Sequence, residues 1–199
     1  GYLAGVFFFF YRLQFTGGFA FEPSAGNGLL TIAAKPERVY VNELDSFRNN
    51  NLKTQGFANV WNSDATKAFM DVQATFNAVI TNPPFGKLDD TVMYDSFPIN
   101  TLDHLMALKA LDCMASDGKA AIIIGGHTTW DERGRIQAGR NRIFFNYLYS
   151  RYNVMDVIQI DGHKLFSRQG TSFNVRLILI NGRKLSVSGN APVYNAATD

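Results

Sequence analysis

Phe19 to Ala34 reads FAFEPSAGNGLLTIAA: a short apolar run, a break of proline, serine and glycine, then a run of helix-forming composition. Strand, glycine turn and helix in that order form the unit from which parallel sheets are built, because a parallel strand must be reached by a crossover. The alternation continues down the chain. Arg38–Leu44 (RVYVNEL) reads as a second strand, and Asp45 or Ser46 caps a helix that carries Phe47 to Leu52. Ala58–Trp61 is a third strand, and Phe76–Thr81 (FNAVIT) is a fourth, stopped by Asn82, Pro83 and Pro84 because prolines remove ladder donors. After a polar loop over Lys87–Asn100, Leu102 to Met114 has helical spacing, with Gly118 as its stop. Ala120–Ile124 is apolar throughout, as a strand buried on both faces must be. Asp131 and Glu132 suit the start of a helix. Arg140–Tyr152 reads as a helix, and Val154–Ile160 and Phe173–Ile180 as two last strands, close enough in sequence for an antiparallel edge hairpin. The expectation is an α/β fold with a mostly parallel seven-stranded sheet, one antiparallel edge strand and helices on both faces.

Composition bounds the answer without giving it. The 199 residues are 46% hydrophobic and 18% charged, enough for one core and too apolar for a disordered chain. The single cysteine, Cys113, excludes a disulfide framework and a multi-cysteine metal site, and fits a reducing, cytoplasmic setting. His104, His127 and His163 lack metal-ligand spacing, so no metal is expected. The apolar stretch Tyr2–Tyr11, with Phe7 to Phe10, is too short to span a bilayer and lacks the flanks of a signal peptide. It reads as a core element or a chain end. The expected organisation is an N-terminal segment over 1–18, one domain over 19–185 and a polar, poorly ordered tail over 186–199.

Three strand ends carry the chemistry. In the first loop Gly26 and Gly28 permit tight backbone geometry, and free amides at a helix N-terminus suit a charged cofactor group. Glu43, at the end of the second strand, is placed to accept ribose hydroxyls. Thr31 stands where a dinucleotide fingerprint wants its third glycine, which argues against a nicotinamide or flavin dinucleotide. Asn82-Pro83-Pro84-Phe85 follows the fourth strand, where ligands of open α/β sheets bind. As an isolated tetrapeptide it would be a turn.

EPSAGNG (Glu22 to Gly28), NELD (Asn42 to Asp45), NSDA (Asn62 to Ala65) and NPPF (Asn82 to Phe85) together resemble the S-adenosylmethionine-dependent amino-methyltransferases, and within them the DNA N6-adenine methylases. The resemblance implies a Rossmann-like class I methyltransferase domain that uses S-adenosyl-L-methionine and acts on an adenine flipped out of DNA, as in restriction-modification. It implies that Glu22, Pro23, Ala25, Gly26 and Gly28 hold the methionine part of the cofactor. Glu43 would take the ribose, Leu44 would pack on the cofactor's adenine, and Asp64 and Ala65 would bind that ring's amine and ring nitrogen. Asn82 and Pro83, stiffened by Pro84, would bind the amine to be methylated, and Phe85 would stack on the target base. RNA adenine and protein glutamine methyltransferases share NPPF, and a non-catalytic cofactor-binding subunit could keep the same fold. Carbon-5 cytosine methylation would need a cysteine nucleophile, whereas Cys113 reads as a core residue.

Residues 1–130 carry 9 basic and 12 acidic side chains, and residues 131–184 carry 10 and 4. Arg133, Arg135, Arg140, Arg142, Arg151, Lys164, Arg168 and Arg176 are therefore expected to form either a phosphate-facing surface or a solvated helix face. No stretch is long enough for a target-recognition domain, so sequence specificity is expected from a separate domain or subunit, and no membrane association is expected.

Overall fold

The computed structural model describes residues 18–32, 34–126, 129–160 and 174–193. Seven strands form one twisted sheet: β1 (Ala20–Glu22), β2 (Val39–Asn42), β3 (Asn59–Trp61), β4 (Phe76–Thr81), β7 (Met114–Gly125), β8 (Tyr152–Ile160) and β9 (Val175–Arg183). Their order is β3–β2–β1–β4–β7–β9–β8. The first five run parallel, and β9 runs antiparallel to both β7 and β8. The expected mostly parallel sheet with an antiparallel hairpin at one edge is what forms; β9 enters between β7 and the outermost β8.

Alternation sorts the side chains onto two faces. Phe21, Ile122, Ile124, Ile178 and Ile180 meet α2 (Leu102–Asp112) and α3 (Arg140–Arg151) in the main core, through Leu105, Leu108, Phe144 and Leu148. Over the other end of this face Phe21, Tyr40, Trp61, Phe69 and Phe76 form an aromatic cluster with ring centroids 4.9–6.5 Å apart. On the opposite face Leu52 of α1 (Ser46–Lys53) packs against Ala20, Val39, Val41 and Ala78. Cys113 is fully buried beneath α2, and burial pushes its thiol up to about 12, so it is inert core.

Several local expectations are corrected. The glycine loop is followed by one 3₁₀ turn, Leu29–Thr31, rather than a helix through Ala34, because Pro36 holds Lys35 extended (φ −72°, ψ 114°). Lys87–Asn100 is not a loop: β5 (Lys87–Tyr94) and β6 (Phe97–Thr101) pair as a separate antiparallel hairpin. Its turn residues Asp95 and Ser96 both have positive φ (49° and 70°). Tyr94 and Phe97 dock edge-on against Tyr147 of α3. Helix α2 ends at Asp112, and Gly118 lies inside β7, where a Cβ would fall 2.9 Å from the Phe76 carbonyl oxygen. Asp131 starts no helix; its carboxylate closes a tight turn by accepting the amides of Arg133 and Arg135. The tail is ordered as far as it is described: Lys184 and Ser188 donate backbone N–H groups to the Arg151 and Ser150 carbonyls, and Ala191 to Asn146 Oδ1. Residues 1–17, including Phe7 to Phe10, and His127, His163, Lys164 and Arg168 lie outside the described residues. Among the described residues no helix is long and apolar enough to cross a membrane, and no three His, Cys, Asp or Glu side chains cluster as metal ligands.

Candidate active site at the carboxyl ends of the parallel strands

The loops leaving β1, β2, β3 and β4 converge on one edge of the sheet, so the four sequence motifs meet there. The β1 loop is self-satisfied. The Gly26 amide donates to Glu43 Oε2 at 2.8 Å, the Gly28 amide to the Ala25 carbonyl at 2.8 Å, and the Ala25 amide to the Asn42 carbonyl at 2.9 Å. The expected helix N-terminus with free amides is therefore replaced by a closed loop. Gly28 has φ 77°, and a Cβ there would lie 3.1–3.2 Å from Phe57, Gln55 and Leu52. Gly28→Ala should accordingly cost about 1–2 kcal/mol of unfolding free energy, read as a lower urea midpoint with an unchanged m-value.

What the loop leaves unsatisfied is a carboxyl. Glu22 is 1% exposed and neither carboxylate oxygen has a hydrogen-bond partner. Burial raises its carboxyl to about 8, with the Glu43 charge adding to it and the nearby Thr31 hydroxyl, whose hydrogen bond goes to the Gly28 carbonyl, pulling the other way. A buried, unpaired carboxyl is costly unless a cation arrives to meet it. Glu43, by contrast, is already engaged: Oε1 accepts the Asp45 amide at 2.9 Å and lies 3.3 Å from Arg48 Nη2. It is buried beside the 62%-exposed side chain of Leu44.

Asp64 Oδ1 accepts both the amide (2.9 Å) and the hydroxyl (2.7 Å) of Thr66, and these bonds hold its carboxyl below the usual carboxylate range. Oδ2 stays open as an acceptor, and the neighbouring Ala65 is buried. The structure thus brings Glu22, Glu43, Leu44, Asp64 and Ala65 to one side of the sheet edge.

Three asparagines to which the sequence motifs assigned no role hold these loops in place. Asn42, 1% exposed, donates through Nδ2 to the carbonyls of Pro23 (3.0 Å) and Ser63 (2.9 Å) and accepts the Ser63 amide through Oδ1 (2.9 Å). Asn49 bridges the carbonyls of Glu43 and Trp61, and Asn62 those of Glu43 and Leu44. Asn42→Ala would leave one buried and two part-buried backbone groups without this partner; a loss of about 2 kcal/mol is expected in urea denaturation. The clue in the sequence is that asparagine is a poor strand former standing at a strand end.

NPPF leaves β4 beside this loop. Thr81 Oγ1 lies 3.0 Å from Ser24 Oγ, which ties the motif to the β1 turn. Asn82 is half-buried, and no hydrogen bond engages its side chain among the described residues. Pro83 is buried and Pro84 exposed. Phe85, 44% exposed, rests on Gly125, where a Cβ would come within 2.9 Å of the ring, so one face is backed by the end of β7 while the other is open. Beyond Phe85 lies a cavity of about 450 Å³ that also reaches Thr101, Asp103, His104 and Arg140. Burial and the charges of Arg140 and Arg176 push His104 down to about 3, so it is neutral where it stacks on Phe144 at 4.1 Å.

The expected basic surface is largely consumed. Arg135 and Arg142 bind Asp131 at 3.0 and 2.8 Å, Arg151 lies 3.4 Å from Asp95, and Arg176 is 3% exposed.

No family model matches the chain, and no curated protein matches it. Solved structures do. A type I restriction-modification methyltransferase subunit from Streptococcus thermophilus superposes with a TM-score of 0.68 at 17% identity, over 98% of this chain and 49% of that one. A protein from Vibrio vulnificus YJ016, assigned as the modification subunit of a type I restriction enzyme, gives 0.68 at 12% identity, over 90% and 43%. A Listeria monocytogenes protein assigned as a class I S-adenosylmethionine-dependent methyltransferase gives 0.65 at 11%, over 96% and 61%. The chain thus spans about half the length of these structures, and it has the class I methyltransferase fold.

Proposed function

We propose that this chain transfers a methyl group from S-adenosyl-L-methionine to the exocyclic N6 amine of adenine in DNA. The observation that carries the reading is the meeting of a buried, partnerless carboxyl at Glu22 with an unengaged Asn82 side chain on adjacent strand ends, joined by the Ser24–Thr81 contact. The residues present fit the cofactor: the orphaned Glu22 carboxyl matches the ammonium of its methionine part, the Glu43 carboxylate its ribose hydroxyls, exposed Leu44 its adenine, and Asp64 Oδ2 that ring's amine. Bound there, S-adenosylmethionine would supply an electrophilic methyl on a sulfonium.

The acceptor side follows from the chain's own groups. An aromatic exocyclic amine is a poor nucleophile because its lone pair is delocalised into the ring. Asn82 Oδ1 and the Pro83 carbonyl each accept one of its N–H groups, drawing the nitrogen toward tetrahedral geometry and freeing that lone pair. Prolines 83 and 84 fix where the carbonyl points, and the open face of Phe85 supplies the stacking surface that an extruded base needs. Positioned dipoles, rather than a strong base, do this task.

Likeness to type I restriction-modification subunits supports a separate domain or subunit that reads the DNA sequence. The test is mass spectrometry of nucleosides from DNA incubated with the protein and isotope-labelled cofactor. Labelled N6-methyladenine is expected; label in RNA or in protein glutamine instead, or cofactor binding without transfer to any of the three, would overturn the reading.

A further inference from the structure

Arg140 is the arginine of the basic stretch that lines the cavity beyond Phe85. It opens α3 and, like Arg133, makes no ion pair among the described residues. Lys87, at the start of β5, lines the same cavity and is also without an ion pair. Helix α3 runs twelve residues, and its first turn carries no capping side chain and no acidic residue, because Gly139 occupies the cap position. Its positive end, with no capping side chain and no acid in its first turn, lies beside Arg140.

A second observation is independent of the helix. Thr101, 4% exposed, lines the same cavity with a hydroxyl that has no hydrogen-bond partner. A buried hydroxyl left unpaired costs free energy that a ligand oxygen would recover. The acidic residue nearby is already occupied: Asp103 Oδ2 accepts the Gly125 amide at 3.0 Å, which fixes the glycine that backs Phe85. His104 in the same wall brings no charge. The cavity thus offers the Arg140 and Lys87 cations, a helix's positive end and an unsatisfied hydroxyl beside Phe85, with the Asp103 carboxyl answering part of the Arg140 charge.

We propose that this cavity is an anion subsite for the backbone phosphate flanking the acceptor base, held by Arg140, Lys87, Thr101 and the start of α3, so that the base is delivered onto Phe85. This rests on the reading of NPPF as the acceptor site. A nucleic acid satisfies the subsite, whereas the neutral side chain of a protein glutamine does not.

The test uses the trinucleotide dTpdApdT and two analogues, each with one phosphate replaced by an uncharged methylphosphonate, and follows binding by NMR chemical shifts so that no turnover is required. Loss of a charge-assisted contact is worth about tenfold. Arg140→Gln should weaken binding of the trinucleotide by about tenfold, and Thr101→Val by about threefold, with cofactor affinity unchanged in both; the thermal midpoint should hold in Arg140→Gln and hold or rise in Thr101→Val, which removes an unpaired buried hydroxyl. Neutralising one particular phosphate should cost the wild type about tenfold and cost Arg140→Gln nothing further. Equal binding by wild type and Arg140→Gln, or an equal methylphosphonate penalty in both proteins, overturns the subsite. If the trinucleotide binds as expected but no methyl reaches adenine, the functional reading fails and the subsite stands. If adenine is methylated with a KM indifferent to Arg140→Gln, the reverse holds. A ribonucleotide series run in parallel shows whether the phosphate belongs to DNA or RNA.

Discussion

Asn82→Ala is expected to lower the turnover number of the proposed adenine methylation by about 10²–10³-fold, the cost of removing one aimed acceptor from a preorganised site. Cofactor affinity changes by less than about twofold, and the thermal midpoint stays put, because the Asn82 side chain holds nothing else together: no hydrogen bond engages it among the described residues. Single-turnover kinetics with labelled cofactor, beside calorimetric titration of the same preparation, read both quantities. A variant that loses cofactor binding in parallel with turnover would place Asn82 in the cofactor half of the site and remove the acceptor assignment. Asn82→Asp sharpens the comparison, since a carboxylate accepts as the amide does but adds a charge. It should retain more turnover than the alanine variant.

The second large effect concerns Glu22, and its sign follows from linkage. The carboxyl titrates at about 8 in the folded chain against 4.5 when free, with burial as the main cause. Between those values the folded state holds a proton that the unfolded state has lost, so stability falls as pH rises from about 4.5 to about 8 and is flat above. At about 1.4 kcal/mol per pKa unit the total is about 5 kcal/mol. Glu22→Gln, neutral at every pH, should abolish this decline, so that the variant is the more stable protein at pH 8.5 and comparable at pH 5. Thermal unfolding across that window measures it. The same variant separates stability from function: a ligand ammonium meeting Glu22 would favour the ionised carboxyl and release its proton. Wild-type cofactor binding near pH 6.5 should then release protons, seen as a buffer-dependent binding enthalpy, and Glu22→Gln should bind weakly with no such dependence. Buffer-independent binding in the wild type would show that no cation reaches Glu22.

The parallel core of the fold was legible because its signals are strong and local. FNAVIT followed by two prolines is a strand with a hard stop, and β4 spans the expected residues. Asp45 caps α1 by accepting the Arg48 amide. The misread places are those where tertiary contacts overrode local composition. The β5–β6 hairpin turns on Asp95 and Ser96, residues that tolerate positive φ but lack the glycine that usually announces such a turn. Met114 extends an apolar, helix-like run, yet it pairs with Phe76 across an irregular register and so begins β7. In the site, residue types chosen for chemistry could be read, while the asparagines that staple the loops could not, since each acts on backbone atoms of distant segments. The basic stretch shows the limit of charge counting, because most of its arginines answer carboxylates or rings of their own domain.

The position of β9 has a kinetic consequence. β8 is made before β9 but reaches the sheet only through it, since β9 lies between β8 and β7. The cofactor side is assembled from β1 to β4, all within residues 20–81, whereas the Phe85 cavity closes only when the chain has run on to Asn174. Contacts that span long sequence separations form late. During synthesis the two halves of the site should mature in order, with the pocket for the methyl donor formed first and the pocket for its acceptor completed by the last strand to arrive.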